Sequence, residues 1–166
     1  MPLLGREKVQ YELEVGILKR VNNNVKGVYL SGLGNIIAGT PVGLTQGEIP
    51  IKSISTSGLT RNNWFLSVGA SSGDTTTSKS SAGANSLRQL AKLPSVVLGK
   101  RIFYTNNRPN ITTLEYGDFP SPVKKGSRLR GKNKFQILSV NGFSKQAPSG
   151  WVRTTLIAMG NKIRSL

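Results

Sequence analysis

The sequence predicts an α+β fold in a single domain spanning residues 1–166. Three observations carry this. Short segments in the middle of the chain alternate apolar and polar residues between glycines, as strands do. The C-terminus carries an apolar stripe at helical spacing. Tracts rich in glycine, serine, threonine and asparagine separate these segments as long loops; the chain holds 19 glycines.

The first 40 residues admit two readings. Val9, Tyr11, Leu13, Val15 and Ile17 alternate as in a half-buried strand, while Val9, Leu13, Ile17 and Val21 also fall at helical spacing. From Val25 on, Tyr29, Leu33 and Ile36 or Ile37 favour a helix, although Gly27, Gly32 and Gly34 each weaken it by about 1 kcal/mol relative to alanine. That helix should stop by Thr40, because Pro41 disfavours helical geometry in the residue before it. Ile49 to Ser57 and Trp64 to Val68 read as strands that could pair with each other. Gly69 to Ala84 reads as a flexible loop, Ser86 to Leu93 as a short helix with Leu87, Leu90 and Leu93 on adjacent faces, and Arg101 to Thr105 as a strand. Thr112 to Tyr116 is a helical turn or strand ending at Gly117, and Phe119 to Lys134 shows neither period. Val152, Leu156, Met159 and Ile163 mark an amphipathic C-terminal helix, with Ser149 placed as its N-cap.

Composition narrows the chemistry. Cysteine and histidine are both absent, which removes disulfides, thiolate nucleophiles, most zinc sites and the side chain best suited to proton transfer near neutral pH. No apolar run approaches the roughly 20 residues that span a bilayer, and the N-terminus lacks a signal-peptide pattern, so no membrane partner is expected. The net charge is +16, a field that favours a polyanionic partner. It is uneven: residues 1–97 hold ten basic and five acidic groups, residues 98–166 thirteen and two.

Gly69-Ala70-Ser71-Ser72-Gly73 matches the G-x-S-x-G nucleophile elbow after a strand, but no helix follows and no histidine exists to activate Ser71. No phosphate-binding glycine loop is present, and the seven acids form no constellation of the hard-metal or glycosidase kind. The reading is non-enzymatic, with no catalytic residue, no metal and no cofactor. The sharpest electrostatic feature is Lys124, Lys125, Arg128, Arg130, Lys132 and Lys134, a run of cations with no acid between them. Such a run repels itself unless a polyanion or an acidic protein faces it. Without interleaved aromatic residues it suits phosphate contact rather than stacking on single-stranded bases.

Four separated stretches resemble the neck or tail-completion family of tailed bacteriophages, which joins the head connector to the tail tube. They are Thr40-Pro41-Val42; Arg61-Asn62-Asn63-Trp64 with the strand ending at Gly69; Tyr104-Thr105-Asn106-Asn107-Arg108-Pro109 leading to Leu114-Glu115-Tyr116-Gly117; and Phe143-Ser144-Lys145-Gln146-Ala147-Pro148-Ser149-Gly150-Trp151-Val152-Arg153. The chain departs from the family pattern after Val42, at Asn110-Ile111 and at Trp151. Two apparent insertions, 48–60 and 118–142, lengthen it, and the basic run lies in the second, so its role does not come from the resemblance.

The resemblance implies an N-terminal and a C-terminal helix packed on a small antiparallel sheet, and so resolves the first 40 residues toward helix. It implies a structural subunit of a homo-oligomeric ring around the DNA channel at the head–tail junction, with about six copies expected and about twelve as the alternative. Portal or adaptor and tail proteins would be its neighbours, with genomic DNA contacted non-specifically and the virion, assembled in the host cytoplasm, as its location. Structural roles are expected for Pro41, Trp64, Leu114, Glu115, Tyr116, Gly117, Gln146, Pro148, Gly150 and Arg153: Pro41 ends a helix, Trp64 anchors the core, and Gly117 and Gly150 permit turns. Glu115 and Arg153 would share a charge-assisted hydrogen bond. The basic composition also suits a second reading, an RNA-binding or ribosomal-type protein.

Overall fold

A computed structural model describes residues 3–42, 58–117, 139–144 and 147–166. The chain opens on one long helix, α1 (Leu3–Gly39), which by its length runs about 55 Å. The strand alternative for this stretch is therefore set aside, and the helix ends where Pro41 requires. The C-terminal half of α1 carries its buried row, Val25, Val28, Leu33, Ile36 and Ile37. Glycine makes this packing possible. A Cβ on Gly32 would lie 2.1 Å from the Met159 sulfur, and one on Gly39 2.7 Å from the Trp151 ring. The glycines that weaken the helix in isolation are in part what let α4 (Val152–Arg164) lie along it.

After a 3₁₀ turn at Arg61–Asn63, strand β1 (Trp64–Val68) pairs antiparallel with β2 (Ile102–Asn106), Leu66 facing Tyr104 across the ladder. Its partner here is thus the strand found one residue downstream of Arg101–Thr105. The proposed Ile49–Ser57 strand lies outside the described residues. Between β1 and β2 the chain makes a loop, the helix α2 (Ala84–Gln89) and a 3₁₀ turn at Leu90–Lys92. Of Leu87, Leu90 and Leu93, Leu93 is buried and Leu87 exposed; Ser86, fully buried, faces inward because its hydroxyl accepts from the Trp64 N–H and donates to the Arg61 carbonyl.

Helix α3 (Ile111–Tyr116) follows β2 and stops at Gly117, whose φ of +97° lies in the region that favours glycine. A hairpin of two-residue strands, β3 (Ser139–Val140) and β4 (Phe143–Ser144), turns through Asn141 and Gly142, both at positive φ. Asn-Gly is the dipeptide that such a turn prefers. The core joins Val25, Leu33, Ile36 and Ile37 of α1 to Trp64 and Leu66 of β1, Leu93 and Val97, Leu114 of α3, and Ala147 and Trp151 before α4. The N- and C-terminal helices pack on each other and share this core with a small antiparallel sheet, an α+β arrangement.

Two pairs of residues distant in sequence lie close together at the edge of this body. The Gly58 N–H donates to the Val42 carbonyl at 2.8 Å, and a Cβ on Gly117 would lie 3.3 Å from the Gly142 carbonyl oxygen.

Candidate functional site

The motif segments converge on the C-terminal end of α1. A helix ends with carbonyls that lack intrahelical donors, and these must be satisfied. Here the donors come from three of the motif stretches. The indole N–H of Trp151 donates to the Ile36 carbonyl at 2.9 Å, and that of Trp64 donates to the Thr40 hydroxyl at 2.8 Å. The Thr40 hydroxyl in turn donates to the Ile36 carbonyl at 2.7 Å. Arg61 donates to the carbonyls of Thr40 and Ala38, each at 2.8 Å, and to that of Ser81. A guanidinium at a helix C-terminus also meets the negative end of the helix dipole; burial alone lowers its pKa. Pro41 is buried beside this junction.

Asn62 and Asn63 extend the network. Both are buried to about 1% exposure or less, which is tolerable for amides only if they are hydrogen-bonded. Asn62 donates to the Ser78 carbonyl and accepts from the Asn85 N–H; Asn63 donates to the carbonyls of Leu59 and Thr76 and accepts from the Thr76 N–H. Thr105 and Asn107 donate to the Ser72 carbonyl. The Gly69–Ala84 tract, read as a flexible loop, is a loop pinned along its length by side chains of the motif stretches. Ser71 sits on it, exposed, and α2 begins only at Ala84. Trp64 and Tyr104 stack at 5.1 Å between ring centroids, 12° from parallel, and burial raises the Tyr104 pKa.

The second centre is Glu115. Its carboxylate accepts the backbone N–H groups of Trp151, Val152 and Arg153, each at 2.9 Å, and the Arg153 Nε at 3.1 Å. These are the orphan donors at the start of α4, so the cap comes from α3 rather than from Ser149, which is exposed. A side chain on the segment itself could satisfy one such donor; a carboxylate arriving from outside satisfies three and adds charge to the positive end of the dipole. Burial pushes the Glu115 carboxyl up, but the three backbone donors and the Arg153 side chain outweigh it and hold it below the usual carboxylate range. Arg153 also donates to the Glu115 carbonyl and lies 4.7 Å over the Tyr116 ring. Gly150, at φ +74°, lets the chain pass Glu115: a Cβ there would lie 2.5 Å from the Glu115 carbonyl oxygen.

The predicted structural residues Pro41, Trp64, Leu114, Glu115, Tyr116, Gly117, Gly150 and Arg153 therefore belong to one connected assembly. Pro148 is exposed beside it. Gln146 and the basic run Lys124, Lys125, Arg128, Arg130, Lys132 and Lys134 lie outside the described residues. The sequence left Thr40, inside a motif stretch, and Ser86 without an assigned role, because what a small hydroxyl residue does depends on which backbone groups it meets. Chemically the assembly holds three segments against a helix end; among the described residues no group of three acids could hold a metal ion, and no helix is long and apolar enough to cross a membrane. No protein-family model, curated protein or solved structure matches the chain.

Proposed function

We propose that this chain is a non-enzymatic structural subunit of a tailed bacteriophage, one of several copies forming a ring at the head–tail junction around the DNA channel. The observation that carries the reading is the convergence just described. The four stretches that resemble the neck and tail-completion family are far apart in sequence, yet they meet at the α1 C-terminus and at Glu115. Residues that serve a shared scaffold explain why a motif set can hold tryptophan, asparagine, glycine and an ion pair on a buried carboxylate and yet offer no nucleophile–base pair. The short distances between Val42 and Gly58 and between Gly117 and Gly142 fit a reading in which 48–60 and 118–142 elaborate that scaffold, with Leu59 and Thr60 bonded into it.

In this reading the basic run faces the DNA channel or an acidic neighbouring ring. Portal or adaptor and tail proteins flank the subunit, and DNA must slide past, which favours phosphate contacts over base contacts. Antibody labelling of purified particles tests the proposal: label at the vertex where head meets tail is expected, and label elsewhere, or a chain absent from the particle, overturns it.

A further inference from the structure

Two stretches of chain without acids are joined at Asn22. Residues 15–47 hold three cations and no acid, and residues 75–114 hold six and none. The buried Asn22 amide donates to the Ser95 carbonyl at 2.8 Å, and its oxygen accepts from the Val97 N–H at 2.8 Å. Gly83, at the other end of this contact, packs against Ile37, so the segment carrying α2 runs back along α1 for about four turns. Lys26 and Lys19 lie eleven and eighteen residues before Ile37, about three and five turns, so both project toward the side of α1 on which that segment lies. Lys26 is half-buried there, and Lys19, one turn beyond Asn22, is exposed. On the segment itself Arg88 and Lys92 are exposed one turn apart, while Ser86, Gln89 and Leu93 face inward. Lys100 and Arg101 are exposed on the turn that follows, where the Lys100 N–H donates to the Val97 carbonyl at 3.1 Å.

Among the described residues no acid balances these six. Glu115 is taken up by Arg153 and the start of α4. Asp74 sits beside Asn107, whose amide donates to its carbonyl, past the end of β2 farthest from Arg101. On the line of Lys19 and Lys26 the next acid is Glu12, about 10 Å further out along α1, and Glu7 and Glu14 lie roughly 120° and 140° round the helix from Lys19. Cations fixed together in this way repel one another and raise a positive potential, a cost that a polyanion lying across them removes. The exposed side chains between them, Leu87, Ala91, Ser95 and Val96, include no aromatic ring, so the surface suits a phosphate backbone and not stacked bases. Four of the six are lysines, point charges that accept phosphates at varied positions, where a fixed carboxylate partner favours the arginine fork.

We infer that Lys19 and Lys26 of α1, with Arg88, Lys92, Lys100 and Arg101, form a surface that binds the phosphate backbone of duplex DNA without reading its sequence. It uses none of the residues of the basic run 124–134 and stands on the packed body. It deepens the proposed function by naming the face that meets DNA, and rests on that reading only for this DNA being the genome in the channel.

Fluorescence anisotropy of a short labelled duplex of mixed sequence, titrated with the full-length chain between about 0.05 and 0.2 M salt, reads the contact, because affinity set by phosphate contacts falls steeply over that range. Lys92→Gln with Lys100→Gln removes two charges from the surface. Lys162→Gln with Arg164→Gln removes the same charge from exposed positions at the end of α4, which lies on another side of α1, against Gly32. The first pair should weaken binding at least about tenfold and reduce the slope of log affinity on log salt by about 2, and the second should weaken it less than about threefold. Both should keep the wild-type circular dichroism spectrum. A wild-type chain that does not bind the duplex, no loss from the first pair, or equal losses from the two would overturn the surface. Polyglutamate bound as tightly as the duplex would also overturn it, by giving the surface to an acidic protein. Duplex binding through these residues with particle label away from the head–tail junction keeps the surface and removes the ring; junction label without this contact does the reverse.

Discussion

Glu115 illustrates how much one side chain can organise when it is buried and fully partnered. Its carboxylate closes α4, fixes Arg153 and ties α3 to the C-terminal segment. Glu115→Gln keeps the shape but loses the charge and places an amide N–H against donors, so it should cost roughly 1–3 kcal/mol in chemical denaturation. The pH dependence follows from a folded pKa held below its ordinary value of 4.5. The stabilisation is present above the unfolded pKa and is lost as pH falls through the folded one; Glu115→Gln should abolish that acid-side loss. Gly150→Ala should be destabilising, since a Cβ would strike the Glu115 carbonyl at positive φ, whereas Gly160→Ala, in open space inside α4, should stabilise by up to about 1 kcal/mol. Opposite signs of ΔTm for the two variants check this. The Glu115–Arg153 pairing was legible in the sequence as two complementary motif residues. The capping of α4 was not, because Ser149 sat at the local position and the real cap arrives from a segment 36 residues away.

At the scale of elements, β1 and the C-terminal helix were legible from periodicity, and their packing was not. Leu156 belongs to the α4 stripe by spacing yet is exposed, while Met159 is buried against Gly32. A glycine groove on α1 selects which part of the stripe is covered, and periodicity cannot see the groove. The β1 partner was likewise hidden: β2 lies beyond a loop, a helix and a turn, so no local turn signal announces the pairing. Trp64 is the element-level anchor, buried, stacked on Tyr104 and bonded to Thr40. Trp64→Ala should cost about 3–5 kcal/mol and Trp64→Phe, which keeps the ring packing but not the indole N–H, about 1 kcal/mol beyond its lost volume. Urea unfolding of both variants separates the packing from the hydrogen bond; equal losses would contradict it.

At the scale of the whole molecule a packed scaffold, an exposed N-terminal helix end and an excess of positive charge stand side by side. Replacing Lys124, Lys125, Arg128, Arg130, Lys132 and Lys134 by serine should leave the subunit folded by circular dichroism and impair DNA retention or neck joining in particles. A duplex presents one negative charge per about 1.7 Å of axis, so this run bears on a dense row of phosphates if it lines the channel. Charge sign was legible in the sequence; direction was not, because composition carries no geometry. The measurement that bears most directly on the ring is a side-chain-resolution reconstruction of the head–tail vertex. The predicted result is a closed ring of this chain around the DNA, its β1–β2 pair and its α1–α4 packing recognisable in each subunit. A vertex complete without this chain, or a single copy of it off the channel axis, would contradict the account.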